Sequence, residues 1–519
     1  MNNNSSTDDD MNDENDGPSR AFGIRRGISD PLLTSLFVLD ANMIRRNFLY
    51  MSILFAINHG CSVSVLGLAN AKLGTAGVWS SGTLYASYTL SALIGASYIV
   101  GKLGSRNGLV VGMAMVAIYV TSFYVALAIN IADESKNVGR YIVVIGGAVV
   151  GGVGSSILWV SQGSYFATAS RLLANQQNQQ GIAIAATSST KEDATSEFGA
   201  TFACVFLLFE VILRLLSTFL VKTVGLSWEI VFGWYAFLSI LPVCAMVGVV
   251  DIDKRDRRLY DPIIRTEEDD GEDEHERRNE QVEEDRRPPL KAMAALNLMW
   301  KDPLAKYLSP ICILFGLSTS FASSILNGEI IQRVLSDPNS TYVGLYTAIT
   351  SLVAAIASLV FGYLQSSNGR MHCGKNGALM TGAASYLIIS LLFLFLLTWD
   401  RGALILVYTL LGIGRATYEG TLRAVFADYF TAEKEGAFGI IILFTGAAST
   451  IGYILSVTGS LTCDKVSRYC LQYSDGTIHN VLVMELVTIV IAMISVPSLW
   501  RAAWMFRSRI IDDRTEEIV

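Results

Sequence analysis

The sequence predicts an all-α polytopic membrane protein with twelve transmembrane helices in two parallel six-helix halves. Three observations lead there. Of 519 residues, 51% are hydrophobic and only 16% charged, whereas soluble domains carry about 25% charged residues. Mean hydropathy is +0.42. Apolar runs of about 20 residues, the length that crosses a hydrocarbon core, recur along the chain. The second half also echoes the first, with Gly152-x-Gly154 matched by Gly412-x-Gly414, an offset of 412 − 152 = 260.

The chain opens on "MNNNSSTDDDMNDENDGPSR". This is acidic and polar, whereas a secretion signal starts basic and then turns apolar. Residues 1–46 are expected to form a disordered, cytosolic tail, with the first span acting as an uncleaved insertion signal. Six spans follow at about 47–70, 83–101, 108–129, 141–166, 199–221 and 228–250, the N-terminal half (47–250). Residues 251–302 come next, and 251–290 is dense in mixed charge and poor in aliphatics. Such a stretch cannot bury enough apolar surface to offset chain entropy, so it reads as a disordered cytosolic linker. Six more spans lie at about 304–327, 342–364, 377–398, 403–427, 436–457 and 480–500, within a C-terminal half of 303–502 and before a cytosolic tail of 503–519. The net charge of −7 comes largely from the tail and linker. No basic surface for nucleic acid remains.

Orientation follows from Lys and Arg in short loops. Arg25, Arg26, Arg45, Arg46, Lys102, Arg106, Arg171, Lys191, Arg370, Lys375, Arg501, Arg507 and Arg509 all fall on one side, which places both termini and the linker in the cytosol. Asn339-Ser340-Thr341, a glycosylation acceptor, falls on the other side. So do Cys463 and Cys470, as a disulfide or as two free thiols. Cys61, Cys204, Cys244, Cys312 and Cys373 read as structural.

Further matches support the repeat. "SILFAINHG" (52–60) echoes "CILFGLSTS" (312–320), and "TLYASYTLSALIGASYIVGKL" (83–103) echoes "GLYTAITSLVAAIASLVFGYL" (344–364). Two bundles of like orientation joined by a long cytosolic loop make the major facilitator architecture. "GKLGSRNG" (101–108) looks like a worn form of the glycine-plus-basic loop of that class, with Gly104 and Ser105 near the place of its usual acidic residue. The glycines of span 4, Gly147, Gly151, Gly152 and Gly154, fit close helix packing.

Two segments carry a closer likeness. "GGVGSSILWVSQGSYF" (151–166) resembles the fourth-helix signature of the uncoordinated-93-like family, also called ion channel regulatory proteins, through Trp159, Gln162, Gly163 and Tyr165. "GIGRATYEGTLRAVFADYF" (412–430) resembles the tenth-helix signature of that family through Gly414, Arg415, Tyr418 and Glu419. The resemblance implies a major facilitator fold, a central cavity lined by helices 1, 4, 7 and 10, and no established enzymatic activity. Some members are thought to modulate potassium channels. Others act as trafficking partners of membrane receptors in the endolysosomal system.

Charges inside apolar spans are costly and mark functional sites or fixed pairs. Arg415, Glu419 and Arg423 are spaced i, i+4, i+8, so they share one helix face. At 1.5 Å per residue, Arg415 lies about 18 Å and Glu419 about 24 Å down span 10, deep enough to pair with each other. Arg423 is placed to snorkel to the interface and Asp428 to meet water. The deep pair is either part of a polar site, with Tyr418, or a ladder locking helix 10. Glu210 and Arg214 repeat the i, i+4 theme in span 5, where Glu210 can pair within its helix or reach Arg415. Asn58 and His59 sit mid-span in helix 1, as a proton sensor or as satisfied polar groups. Trp159, Gln162 and Tyr165 either line the cytosolic end of the cavity or anchor the interface. Glu485 is expected at the interface.

Metal-ligand spacing, a nucleophile elbow and a nucleotide loop are all missing from the sequence, so no cofactor and no enzyme is expected. The expected function is secondary transport of a small solute, with or without a proton, in the plasma membrane or an endolysosomal membrane. The alternative is a non-transporting regulator or trafficking partner of a channel or receptor, such as a potassium channel.

Overall fold

In the computed structural model the described residues are 40–73, 75–129, 134–179, 187–253, 293–336, 342–365, 374–395, 399–431, 433–458, 470–472, 478–480 and 482–516. The first half comprises α1 (Ala41–Leu73), α2 (Thr75–Ile94), α3 (Ala96–Leu103), α4 (Ser105–Ala128), α5 (Glu134–Gln179), α6 (Thr187–Lys222) and α7 (Trp228–Met246). The second comprises α8 (Ala294–Lys301), α9 (Pro303–Phe321), a π-helical turn (Ala322–Ile330), α10 (Ile331–Leu335), α11 (Val343–Gln365), α12 (Gly374–Phe395) and α13 (Arg401–Ala416). A second π turn (Thr417–Leu422), α14 (Arg423–Tyr429), α15 (Lys434–Thr458) and α16 (Leu482–Glu516) complete it. A short antiparallel pair, β1 (Cys470–Gln472) with β2 (Ile478–Asn480), precedes α16.

Among the described residues ten helices are long and apolar enough to cross a membrane. Counted as one span, α2 with α3, bent by 64° at their break, brings the number to eleven. The expected twelfth, Arg401–Tyr429, is helical throughout but carries Arg415, Glu419, Arg423 and Asp428, and it is not apolar enough to count with them. Large apolar side chains such as Ile118, Ile142, Phe219, Trp234, Ile356 and Ile454 point outward. An outer surface of this kind is stable only against lipid, and helices satisfy their backbone groups internally there. The protein is an integral, multi-pass membrane protein.

The outer limits of the expected segments shift. The first helix starts at Ala41, inside the expected tail, and the last runs on to Glu516. The expected linker 251–302 is ordered at both ends, where Asp253 is buried and α8 forms. Its middle lies outside the described residues, as do Asn339, Cys373 and Cys463. Cys61, Cys204, Cys244 and Cys312 are free thiols.

The repeat is visible as packing. In the first half α5 packs on α2 and α4, α6 on α1, and α7 on α1 and α4. The second half copies this, with α13 on α11 and α12, α15 on α9, and α16 on α9 and α12. The two Gly-x-Gly pairs explain the closest contacts. A Cβ on Gly152 would lie 2.4 Å from the Leu84 carbonyl of α2, and one on Gly154 2.4 Å from Met115 of α4. Likewise, one on Gly412 would lie 2.7 Å from the Thr350 carbonyl of α11, and one on Gly414 2.4 Å from Tyr386 of α12. The first glycine of each pair admits one neighbour's backbone and the second admits the other neighbour's side chain. Across the halves, α6 packs on α11 and α2 on α15.

Gly412→Val should therefore lower stability by about 1–3 kcal/mol, the usual range for overpacking. Gly101→Ala, with open space around it, should cost much less. Thermal unfolding in detergent compares the two.

Candidate site in the central cavity

A cavity of about 210 Å³ lies between the halves. It is lined from α1 by His59 and Ser62, from α2 by Tyr85 and Tyr88, from α5 by Trp159, from α6 by Arg214 and from α13 by Arg415. The two π turns add Ser323 and Asn327, then Tyr418 and Glu419. A π turn inserts an extra residue into a helix and is frequent at functional sites.

Glu210 of α6 is fully buried at the centre of the seam. Arg415 grips it with both amino groups, Nη1 to Oε1 at 2.8 Å and Nη2 to Oε2 at 2.6 Å. Arg214, one turn on, binds the same carboxylate, and Ser351 of α11 donates to Oε1 at 3.1 Å. The guanidinium of Arg415 also lies 5.6 Å from the centre of the Phe206 ring. The bidentate fork is the strongest geometry available to such a pair.

Deeper in, Arg423 forms the floor. It lies 4.1 Å over the Trp159 ring, donates to Gln162 Oε1 at 3.1 Å, and pairs with Glu419 Oε2 at 3.3 Å. His59 sits in an aromatic box of Phe55, Trp159 and Phe206, with centroids 5.6, 4.9 and 5.3 Å away. Among the described residues its Nδ1 has no hydrogen-bond partner. Tyr418 stacks on Phe315 at 3.5 Å and shares a hydrogen bond with Thr445.

Beyond the floor, the face that carries the start of α1 and the end of α16 is closed by bonds between the halves. Ser164 of α5 donates to Glu435 of α15 at 2.9 Å, and Ser97 of α3 donates to the Glu435 carbonyl at 3.0 Å. Lys434 donates to Thr168 at 2.6 Å and pairs with Asp253 at 3.4 Å. Thr195 of α6 donates to Asp428 of α14 at 2.9 Å, and Lys375 of α12 donates to Thr195 at 2.8 Å. Gly199 and Gly420 meet backbone to backbone, so a Cβ on Gly199 would lie 3.0 Å from the Gly420 carbonyl. Toward the opposite face the cavity extends to Leu68 and Val343.

The sequence model of the Major Facilitator Superfamily matches residues 135–453. The chain belongs to that superfamily. A second family model, the ion channel regulatory protein UNC-93, matches residues 73–191, so this major facilitator is UNC-93-like. No curated protein matches the sequence. Solved structures share the fold. A bacterial homologue of the iron transporter ferroportin, in an outward-facing state with soaked iron, is 13% identical, with 88% of this chain and 98% of that one covered and a TM-score of 0.54. The proton:xylose symporter XylE bound to 6-bromo-6-deoxy-D-glucose is 12% identical over 90% and 95%, with a TM-score of 0.57. The fucose:proton symporter FucP of E. coli is 12% identical over 88% and 98%, at 0.51. At such identity the likeness is one of fold alone. Among the described residues no group of His, Cys, Asp or Glu is placed to hold a metal ion.

In this major facilitator the expected site residues separate. His59, Trp159, Arg214, Arg415, Tyr418 and Glu419 line the cavity. Glu210 and Gln162 lie behind that lining and hold its arginines. Asn58 turns away from it and donates to the Met113 and Ser239 carbonyls, a packing role. Tyr165 does not reach the cavity either, because Asn47 and the Val250 carbonyl hold its hydroxyl. The expected Arg415–Glu419 pair is absent. The π turn changes the register after Ala416, so Arg415 takes Glu210 and Glu419 takes Arg423. Arg423 is buried and does not snorkel, Asp428 is buried against Lys375, and Glu485 is buried within the bundle. Lys434, Glu435 and Asp253 were missed. They stand in loops or at helix starts, where a charge carries no signal of its own.

Glu210→Gln should be the most damaging single change here, at about 3–5 kcal/mol, because it strands two buried guanidiniums. Arg415→Gln should cost less, since Arg214 still neutralises Glu210. Thermal melts of both variants test the order.

Asp253 gives a pH dependence. Burial pushes its carboxyl up, but Lys434 and the Ser105 amide, which donates at 2.6 Å, outweigh burial and hold it below the usual range. A lowered folded value means that the stabilisation is present above the unfolded value of about 3.9 and is lost as pH falls through the folded one. Asp253→Asn should show less acid destabilisation than wild type in melts run from pH 7 down to pH 3.

Proposed function

We propose that the protein is a secondary transporter that binds one small solute in the central cavity. One observation carries this reading. The cavity is sealed on one face by reversible bonds between the halves, among them Ser164–Glu435, Lys434–Asp253 and Thr195–Asp428. Such bonds can break when the halves rock, and alternating access requires that. Arg214, Arg415, Glu419, Tyr418, His59 and Trp159 would contact the solute, while Glu210 and Gln162 would position the arginines. The excess of Lys and Arg on the sealed face supports a cytosolic placement for it, and so a cavity facing outward. The UNC-93 match at 73–191 favours a second reading, regulation or trafficking of a channel or receptor, in which the seal never opens.

The seal decides between the two. In a background without other cysteines, Thr195→Cys with Asp428→Cys should cross-link on mild oxidation. Proteoliposomes would be offered a panel of sugars, amino acids, organic acids and amines. The expected outcome is uptake of at least one solute, its loss on cross-linking and its return on reduction. Uptake of nothing would sink the transporter reading, and uptake indifferent to the cross-link would sink the seal as its gate.

A further inference from the structure

The charges around the cavity do not balance. Arg423 and Glu419 match one to one. Arg214 and Arg415, by contrast, share the single carboxylate of Glu210. That triplet holds two positive charges against one negative, so one positive charge is left over. Among the described residues the only carboxylate lining the cavity is Glu419, which Arg423 already engages.

The arrangement also has a direction. The Glu210 side chain is 0% exposed, whereas those of Arg214 and Arg415 are 14% and 15% exposed. The carboxylate is hidden behind its two guanidiniums, and the surface turned to the cavity is cationic. An unmatched charge away from bulk water is costly. A ligand anion would relieve it, because a guanidinium presents several donors in a fork that fits a carboxylate.

The rest of the wall describes the body of that ligand. Tyr85, Tyr386 and Tyr408 line the cavity near the arginines. Tyr408 spends its hydroxyl on Asn327 at 2.6 Å, which leaves its ring as an apolar surface. A volume of about 210 Å³ is below the ~300–1,000 Å³ of drug-sized pockets.

We infer that the solute is a small organic monoanion, a carboxylate with a planar or apolar body, seated on the Arg214–Glu210–Arg415 triplet. This rests on the transporter reading and adds the substrate class to it.

The test compares charge at constant shape. Monocarboxylates from acetate to benzoate, their neutral amides, and xylose are offered to the purified protein, with ligand-induced thermal stabilisation and proteoliposome uptake as readouts. At least one carboxylate should bind and be taken up while its amide is not. Arg214→Gln removes the spare charge and should weaken binding at least tenfold. Glu419→Gln leaves Arg423 unmatched and so adds a spare charge to the wall; it should tighten carboxylate binding several-fold, and it decides the matter if Arg214→Gln does not fold. Amides or xylose binding as well as carboxylates, a binding-competent Arg214→Gln with unchanged affinity, or unchanged or weakened binding in Glu419→Gln would overturn the anion while leaving a transporter. A protein that neither binds nor takes up any solute overturns both.

Discussion

A single carboxylate, that of Glu210, sits between two guanidiniums at the seam of the halves. Isolated, it could not stay ionised so far from water. It is held by a fork from α13, a pair from its own helix and a hydroxyl from α11. Because these groups come from both halves, the carboxylate fixes how α6 meets α11 and α13. The position of Arg415, the cationic wall of the cavity and the packing of Phe206 beneath it all follow from that bond. It is weak evidence for stability as such, since a buried ion pair often costs what it returns. Its effect is on geometry, which it holds to one register.

The same bond shows how far the sequence could be read. Composition, span lengths and the Gly-x-Gly repeat carry the architecture, because each reflects a local need. A span needs length, and a close crossing needs a residue without a Cβ. The pairing of Glu210 was visible only as two options, since helical spacing shows which partners are near within a helix and says nothing about neighbours. The Arg415–Glu419 expectation failed for a related reason. It assumed 100° per residue through Thr417–Leu422, and the π turn there departs from that. A π turn leaves no compositional trace of its own in "TYEGTL", whose Gly420, Thr417 and Thr421 weaken an ordinary helix as well. Asp253 was hidden differently, as one acidic residue in an acidic stretch that looked solvated throughout.

Depth alone also misled. Arg423 and Asp428 lie where a lone helix would meet water, and on a lone helix they would be free. In the bundle, Trp159 and Gln162 cover one and Thr195 and Lys375 the other. Membrane depth sets what a charge costs, while the neighbouring helix sets whether it is met.

The two sets of ionic contacts are built for different duties. Those at the sealed face that join the halves, Lys434 with Asp253 and Ser164 with Glu435, lie at the end of the bundle, where water can reach both partners once the halves part. Charges parted into bulk water are hydrated again, so separating them there costs little. The Glu210 triplet is the opposite case, and parting it would strand charges in the bundle interior. When the halves rock as proposed, displacement is smallest near the level of the pivot and largest at the faces. The costly bond lies at mid-seam and the cheap bonds lie at the face that must open. Under that proposal, this distribution would let the halves move without exposing an unpaired charge to a dry interior.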